Sequence, residues 1–317
     1  MKNPQQQESI ILDGGTGREI KRRGGPFRQP EWSALALYED PAIVKSVHES
    51  YIEAGATAIT TNSYAIVPFH LGQERYDKDA AWLLKLSVDL AREAVRVASG
   101  TTDVSILGSI PPLCGSYEPG RFDASVAGPI LQDFLNAFRD RVDILLLETV
   151  GSIEEARFCL ESIRNELSCW KKPVPTWVSF CVRSEYGMNT TPHLLTGTTD
   201  SLKDAVDQLT ADGLLKAETV PVVLVNCCDV HLVTASIEHL VAALPSEFRV
   251  GAYPNAFFSK PPTKVAAANN TIREVDCNIT PDLLTEKAKE WIQRGATVLG
   301  GCCGVGPDHI RALASLR

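Results

Sequence analysis

DILLLETVGSIEEARFCLESIRNE, residues 143–166, reads as one strand running into one helix. DILLLET (143–149) is a nearly continuous apolar run, the pattern of a parallel strand covered on both faces rather than one with a wet side. Ser152 and Glu155 have the spacing of a capping box, in which hydroxyl and carboxylate each take an orphan amide at a helix start. The helix follows over about 153–166.

The same unit recurs in both directions. Upstream stand IILD (10–13), ATAITT (56–61) and VSILGSI (104–110). Downstream stand TWVSFCV (176–182), PVVLVN (221–226), RVGAY (249–253) and ATVLGG (296–301), which makes eight strands. Helix signals fill the gaps. Asp40-Pro41 supplies an N-cap and a proline at the first helical position, Ile43, Val44, Val47, Tyr51 and Ile52 form one apolar face, and Gly55 ends it. Thr280-Pro281 opens another helix, with Leu284, Ala288, Trp291 and Ile292 on its inner face and Gly295 as its stop. No linker or composition break divides the chain, so residues 1–317 are read as a single α/β domain. Eight strand–helix units favour a closed (β/α)8 TIM-type barrel, with a doubly wound sheet as the alternative should one strand be miscounted. Two long connections, 183–199 and 254–279, are expected on the C-terminal face, where the loops of a barrel build its active site.

Composition narrows the function. With 44% hydrophobic and 22% charged residues and a formal net charge of -8, the chain lacks the basic surface that nucleic acid or an anionic membrane rewards. MKNPQQQES has no apolar signal core, and no stretch approaches the ~20 apolar residues of a membrane span. The expected location is the cytoplasm. There the nine cysteines are thiols, metal ligands or small buried hydrophobes, not disulfides. The N-x-S/T triplets at Asn189, Asn269 and Asn278 then carry no glycosylation meaning. Cys114, Cys159, Cys169, Cys181 and Cys277 are read as packing residues.

The remaining cysteines sit differently. Cys302 and Cys303 directly follow ATVLGG, and Cys227 directly follows PVVLVN. Strands six and eight of a barrel end close together on the active-site face, so these thiols can converge on one point. A disulfide between chain neighbours is strained, because consecutive Cα atoms lie only about 3.8 Å apart. Thiolates suit zinc, and three protein ligands with an open fourth position is the catalytic arrangement. Cys228 competes with Cys227 for the role: neighbouring strand residues face opposite ways, and the residues alone leave that choice open. DGGTG (13–17) is no dinucleotide fingerprint, since the sixth position counted from Gly15 is Ile20, and it lacks the GK[ST] of a P-loop. His48, His231, His239 and His309 fall in helical stretches as packing or surface residues, while His193 lies on a long active-face loop. A closed structural metal clip or a redox sensor in a non-catalytic barrel is a rival reading. A carbon–carbon lyase would want His and carboxylate ligands for a harder metal, a set not seen here.

Taken in order, DGGTG (13–17), HESYIEAGATAITTNSY (48–64), LLLET (145–149), SF (179–180), VNC (225–227), YPN (253–255) and GGCCG (300–304) resemble the homocysteine S-methyltransferase family over nearly the whole chain. The resemblance implies a (β/α)8 barrel holding zinc through the cysteine of VNC, Cys227, and the vicinal pair Cys302 and Cys303. It further implies that Asp13 and Glu148 bind the substrate ammonium. Gly14 and Gly15 allow close backbone approach, and amides around Thr61, Asn62 and Ser63 can meet the substrate carboxylate. Two stretches depart from the family pattern: Ala65 stands where Gln is common, and GSIPPLCGSYEPGRF (108–122) replaces a more glycine-rich segment. Both are expected to face the methyl donor, so the acceptor is better defined than the donor.

The expected reaction is methyl transfer from a sulfonium, S-methylmethionine or S-adenosylmethionine, to the thiol of homocysteine, giving methionine. A free thiol with a pKa near about 8.5 is only a few per cent thiolate at neutral pH, and zinc binding deprotonates it. A sulfonium releases a neutral thioether, which needs no proton, so no catalytic residue beyond the zinc site is expected. Betaine is the alternative donor. Its quaternary ammonium wants an aromatic cage, yet Glu148 is followed by Thr149 and Val150 where the betaine branch would place an aromatic. Trp32 and Tyr64 fit other branches equally.

Overall fold

A computed structural model describes residues 8–98, 103–183, 191–196, 200–257 and 274–317. Eight strands are β1 (Ile10–Ile11), β2 (Ala58–Thr60), β3 (Ser105–Ile110), β4 (Ile144–Val150), β5 (Thr176–Phe180), β6 (Val222–Asp229), β7 (Arg249–Asn255) and β8 (Ala296–Leu299). They stand in the order β1-β8-β7-β6-β5-β4-β3-β2, with every pairing parallel. The two ends meet where Leu12 bridges Ala58 and the Asp13 amide donates to the Ala58 carbonyl at 3.1 Å. That contact closes the sheet into the (β/α)8 barrel. Each apolar run of the sequence supplies one strand, although β1 and β2 are shorter than IILD and ATAITT and β6 continues past PVVLVN to Asp229.

The core has two layers, which is why the strands read as unbroken apolar runs. Leu12, Ala58, Leu107, Leu146, Trp177 and Leu224 fill the barrel interior. The opposite strand faces pack on helices, which contribute Val44, Val47 and Tyr51 from Pro41–Glu53, and Leu83, Leu84 and Val88 from Gln73–Ala98. Helix starts follow their caps: Asp40 accepts from the Ile43 amide at 3.3 Å, and Thr280 accepts from Leu283 at 3.2 Å. The box at Ser152 forms only by half. Its hydroxyl takes the Glu155 amide at 3.2 Å, but the Glu155 carboxylate accepts from the Leu113 amide at 3.0 Å. That amide lies buried after β3, where leaving it without a hydrogen bond is costly.

TWVSFCV does not run straight through. β5 stops at Phe180, and Val182–Arg183 pairs antiparallel with His193–Leu194 in a small ribbon, which is where His193 lies. Of the two long connections, residues 184–190, 197–199 and 258–273 lie outside the described residues, and with them Asn189 and Asn269. Cys169 and Cys277 are exposed, contrary to the packing reading, because each sits in a turn rather than a strand. Among the described residues, no helix is long and apolar enough to cross a membrane.

Candidate active site

The C-terminal ends of β4 and β6 break their own geometry. Thr149 and Cys227 hold φ of 60° and 49°, and strand register shifts between Leu147 and Val150 and between Asn226 and Asp229. Residues with side chains keep such conformations only where the surroundings over-determine them. Asn226 does so here. Its Oδ1 accepts from the Thr149 amide at 2.9 Å and from Ser179 Oγ at 2.7 Å, while its Nδ2 donates to Thr149 Oγ1 at 2.8 Å. Asn255 Nδ2 donates to the Cys227 carbonyl at 2.8 Å.

This irregularity decides between the paired cysteines. Val222 and Leu224 face the barrel interior, so unbroken alternation would turn Cys228 inward after Asn226. An irregular residue re-aims the side chains that follow. Cys227 sends its sulfur to the mouth of the barrel, 3.0 Å from Cys302 Sγ, and Cys228 joins the outer core.

The Gly300–Gly304 loop is stitched to both neighbouring strands. The Gly301 amide donates to Asp13 O at 3.1 Å, Cys302 to Pro254 O at 2.8 Å, and Ala256 to Cys303 O at 2.8 Å. Gly15 makes room for it: a Cβ there would lie 2.6 Å from the Cys302 carbonyl oxygen and 2.9 Å from Cys303 Cα. Gly14 is as confined, with the Val305 oxygen at 2.3 Å.

The sulfurs of Cys227, Cys302 and Cys303 thus lie within 4.8 Å of one another. Tetrahedral zinc with bonds of about 2.3 Å spaces its sulfurs by about 3.8 Å, so the cluster already has the scale of a single ion, and its soft donors suit that metal. Hydrogen bonds from Cys227 and Cys302 hold the Cys303 thiol well below the usual range, and the Arg18 charge adds to the effect. Bonds to Cys227 and Cys303, with burial, push Cys302 well above it. Three crowded sulfurs therefore share little negative charge until a cation joins them. Arg18 is held over the rings of Phe27, at 5.8 Å, and Phe257, at 5.2 Å. The Tyr117 hydroxyl lies 2.8 Å from Cys227 Sγ.

Two buried carboxylates face this region. Glu148 accepts from Ser109 Oγ in a short hydrogen bond and from Tyr253 OH at 3.2 Å, yet burial pushes it up to about 7. Asp13 accepts from the Thr60 amide at 2.8 Å and from Thr60 Oγ1, but burial, with the Glu148 charge adding, pushes it up to about 8. Among the described residues, this pair has no cationic partner.

The β2 loop is differently occupied. Thr61 and Ser63 share a hydroxyl bond at 2.8 Å and tie to Ser109, and Asn62 Nδ2 donates to Ser33 O at 3.0 Å. The Thr61 and Ser63 amides are taken by Leu107 O and Thr61 O. Side chains here hold the loop, and of its three amides only that of Asn62 has no partner among the described residues. An aromatic wall stands beside it: Trp32 stacks on Tyr64 (centroids 6.1 Å, planes 6° apart) and lies 4.8 Å from His70. Sequence reasoning missed Ser109, Tyr117, Asn226, Tyr253 and His70. Asn226 and Tyr253 belong to VNC and YPN, motifs quoted without a role for these side chains.

A family model described as homocysteine S-methyltransferase matches residues 10–316. Homocysteine S-methyltransferase 1 of Zea mays is 27% identical, the match covering 96% of this chain and 93% of the relative. The homocysteine S-methyltransferase of Escherichia coli (strain K12) is 28% identical over 97% of this chain and 94% of its own. A selenocysteine Se-methyltransferase of Brassica oleracea var. italica is 28% identical, covering 96% and 87%. Among solved structures, the metallated form of the Escherichia coli homocysteine methyltransferase MmuM superposes with a TM-score of 0.74 at 24% identity, over 99% of this chain and 100% of that one.

Proposed function

This chain belongs to the homocysteine S-methyltransferase family, and from that premise we propose zinc-dependent transfer of a methyl group from a sulfonium to the thiol of homocysteine. Cys227, Cys302 and Cys303 are the metal ligands. The observation that carries the reading is their convergence within 4.8 Å beside two buried carboxylates that have no cationic partner among the described residues. Zinc, when bound there, supplies the positive charge that keeps an acceptor thiol deprotonated. Asp13 and Glu148 receive the acceptor ammonium, which returns both carboxyls to their ionised forms. Ser109, Tyr253 and Thr60 fix the orientation of these carboxylates, and Gly14 and Gly15 let the backbone approach the ligand. The stacked faces of Trp32 and Tyr64 suit a cationic donor. Thr149 following Glu148 favours a sulfonium, S-methylmethionine or S-adenosylmethionine, over betaine. The protein acts as one domain on small molecules in the cytoplasm, with no nucleic-acid or membrane partner, in keeping with its net charge of -8.

A donor panel of S-methylmethionine, S-adenosylmethionine, betaine and methyl folate, assayed with homocysteine and zinc, tests the reaction. The sulfonium donors should turn over and the others should not. Cys303→Ala should lose both zinc and turnover while keeping its circular dichroism. Full activity in a zinc-free Cys302→Ala, Cys303→Ala double variant would end the proposal.

A further inference from the structure

Methyl transfer sets this site a selectivity problem within one element. The three ligand sulfurs and the acceptor sulfur are all nucleophiles, gathered beside one electrophilic methyl group. Methylation of a ligand would be self-inactivating. The donor's C–S bond would break with its electron pair leaving on the thioether, and a cysteine lone pair would form the new S–CH3 bond. A thiolate ligand would become a neutral thioether, with no proton or oxidant involved.

Cys227 carries a contact that the roles above leave unexplained. The Tyr117 hydroxyl lies 2.8 Å from its sulfur, across 110 positions of sequence. A phenol is protonated at neutral pH and can donate. Cys302 also donates to Cys227, at 3.0 Å, but as a metal ligand Cys302 would carry no proton to donate, whereas the phenol keeps its own. Tyr117 is also held in place: its φ is 63°, and the preceding residue, Ser116, bonds through Oγ to His70 Nε2 at 2.9 Å. From the other side Asn255 fixes the Cys227 backbone, so ring and sulfur are positioned independently.

We propose that Tyr117 is a positioning residue whose hydroxyl occupies a lone pair of the Cys227 thiolate and directs methylation to the substrate sulfur. This rests on the methyltransferase reading given above. A hydrogen bond to a charged acceptor is worth enough to slow attack by Cys227 about tenfold.

The test uses zinc-loaded full-length protein, wild type and Tyr117→Phe, exposed to iodomethane, an electrophile that needs no donor site. Peptide mass spectrometry follows methylation of Cys227 against Cys302 and Cys303 in the same molecule. The Phe variant should methylate Cys227 about tenfold faster with the other two unchanged, and the thiolate-to-metal charge-transfer band of its cobalt-substituted form should move to longer wavelength. An unchanged Cys227 rate, or an equal rise at all three cysteines, would overturn the proposal. If instead wild-type protein methylates no homocysteine with any donor, the functional reading fails, while the iodomethane ratio still reports on Tyr117.

Discussion

A carboxylate that is to receive an ammonium must first lose its proton, and burial makes that difficult for Glu148, pushed up to about 7, and Asp13, pushed up to about 8. Below those values the carboxyls are neutral and attract no cation, so kcat/KM for homocysteine should rise with pH across about 7 to 8 and then level. Glu148→Gln keeps an acceptor for Ser109 but removes one charge. It should raise the KM for homocysteine by about 10- to 100-fold, the range of a charged hydrogen bond, with a smaller effect on kcat. Its remaining acid limb should move to lower pH, because Glu148 helps to raise Asp13. Steady-state pH profiles of both proteins check the two effects, and an unmoved limb would separate Asp13 from the acceptor. At this scale the sequence displayed the reacting groups but not their holders. Asp13, Glu148 and the thiols are chemically conspicuous at strand ends. Asn226 and Tyr117 act through partners 77 and 110 positions away, which no local pattern encodes.

Strands and helix caps were largely legible because their causes are local: apolar runs for burial on both faces, and Asp or Thr before proline for helix starts. Tertiary demand overrode the local rule in two places. The bend at Cys227 reversed the inside–outside alternation, and Glu155 left its capping box for the Leu113 amide. The second override has a measurable signature. Burial raises the Glu155 carboxyl from 4.5 to about 7, so the folded state holds its proton more tightly than the unfolded chain does. Its contribution is therefore fully present below about 4.5 and is lost as pH rises to about 7, a change of about 3 kcal/mol. Glu155→Gln retains an oxygen for Leu113 and cannot ionise. Calorimetry should find its Tm above wild type at pH 8 and close to it at pH 4.5; the reverse order would refute this account.

The whole barrel was recognisable from eight recurring units, while its closure rests on a short seam, the Leu12–Ala58 bridge with the Thr57 and Asp13 amides donating to Ile11 O and Ala58 O, too small to be read in advance. The packed interior has a kinetic corollary. Leu12, Leu107, Leu146, Trp177 and Leu224 plug the tube beneath Glu148, so among the described residues its floor is shut and traffic runs through the C-terminal mouth. On the proposed reading, an acceptor anchored at buried Asp13 and Glu148 would lie deeper than a donor resting on partly exposed Trp32 and Tyr64. Whatever enters first must leave last. With S-adenosylmethionine as donor, whose spent form differs from methionine, turnover should follow a compulsory order, homocysteine before donor and spent donor before methionine, with methionine inhibiting competitively against homocysteine and noncompetitively against the donor. A random order in product-inhibition kinetics would mean that the cul-de-sac has a second exit.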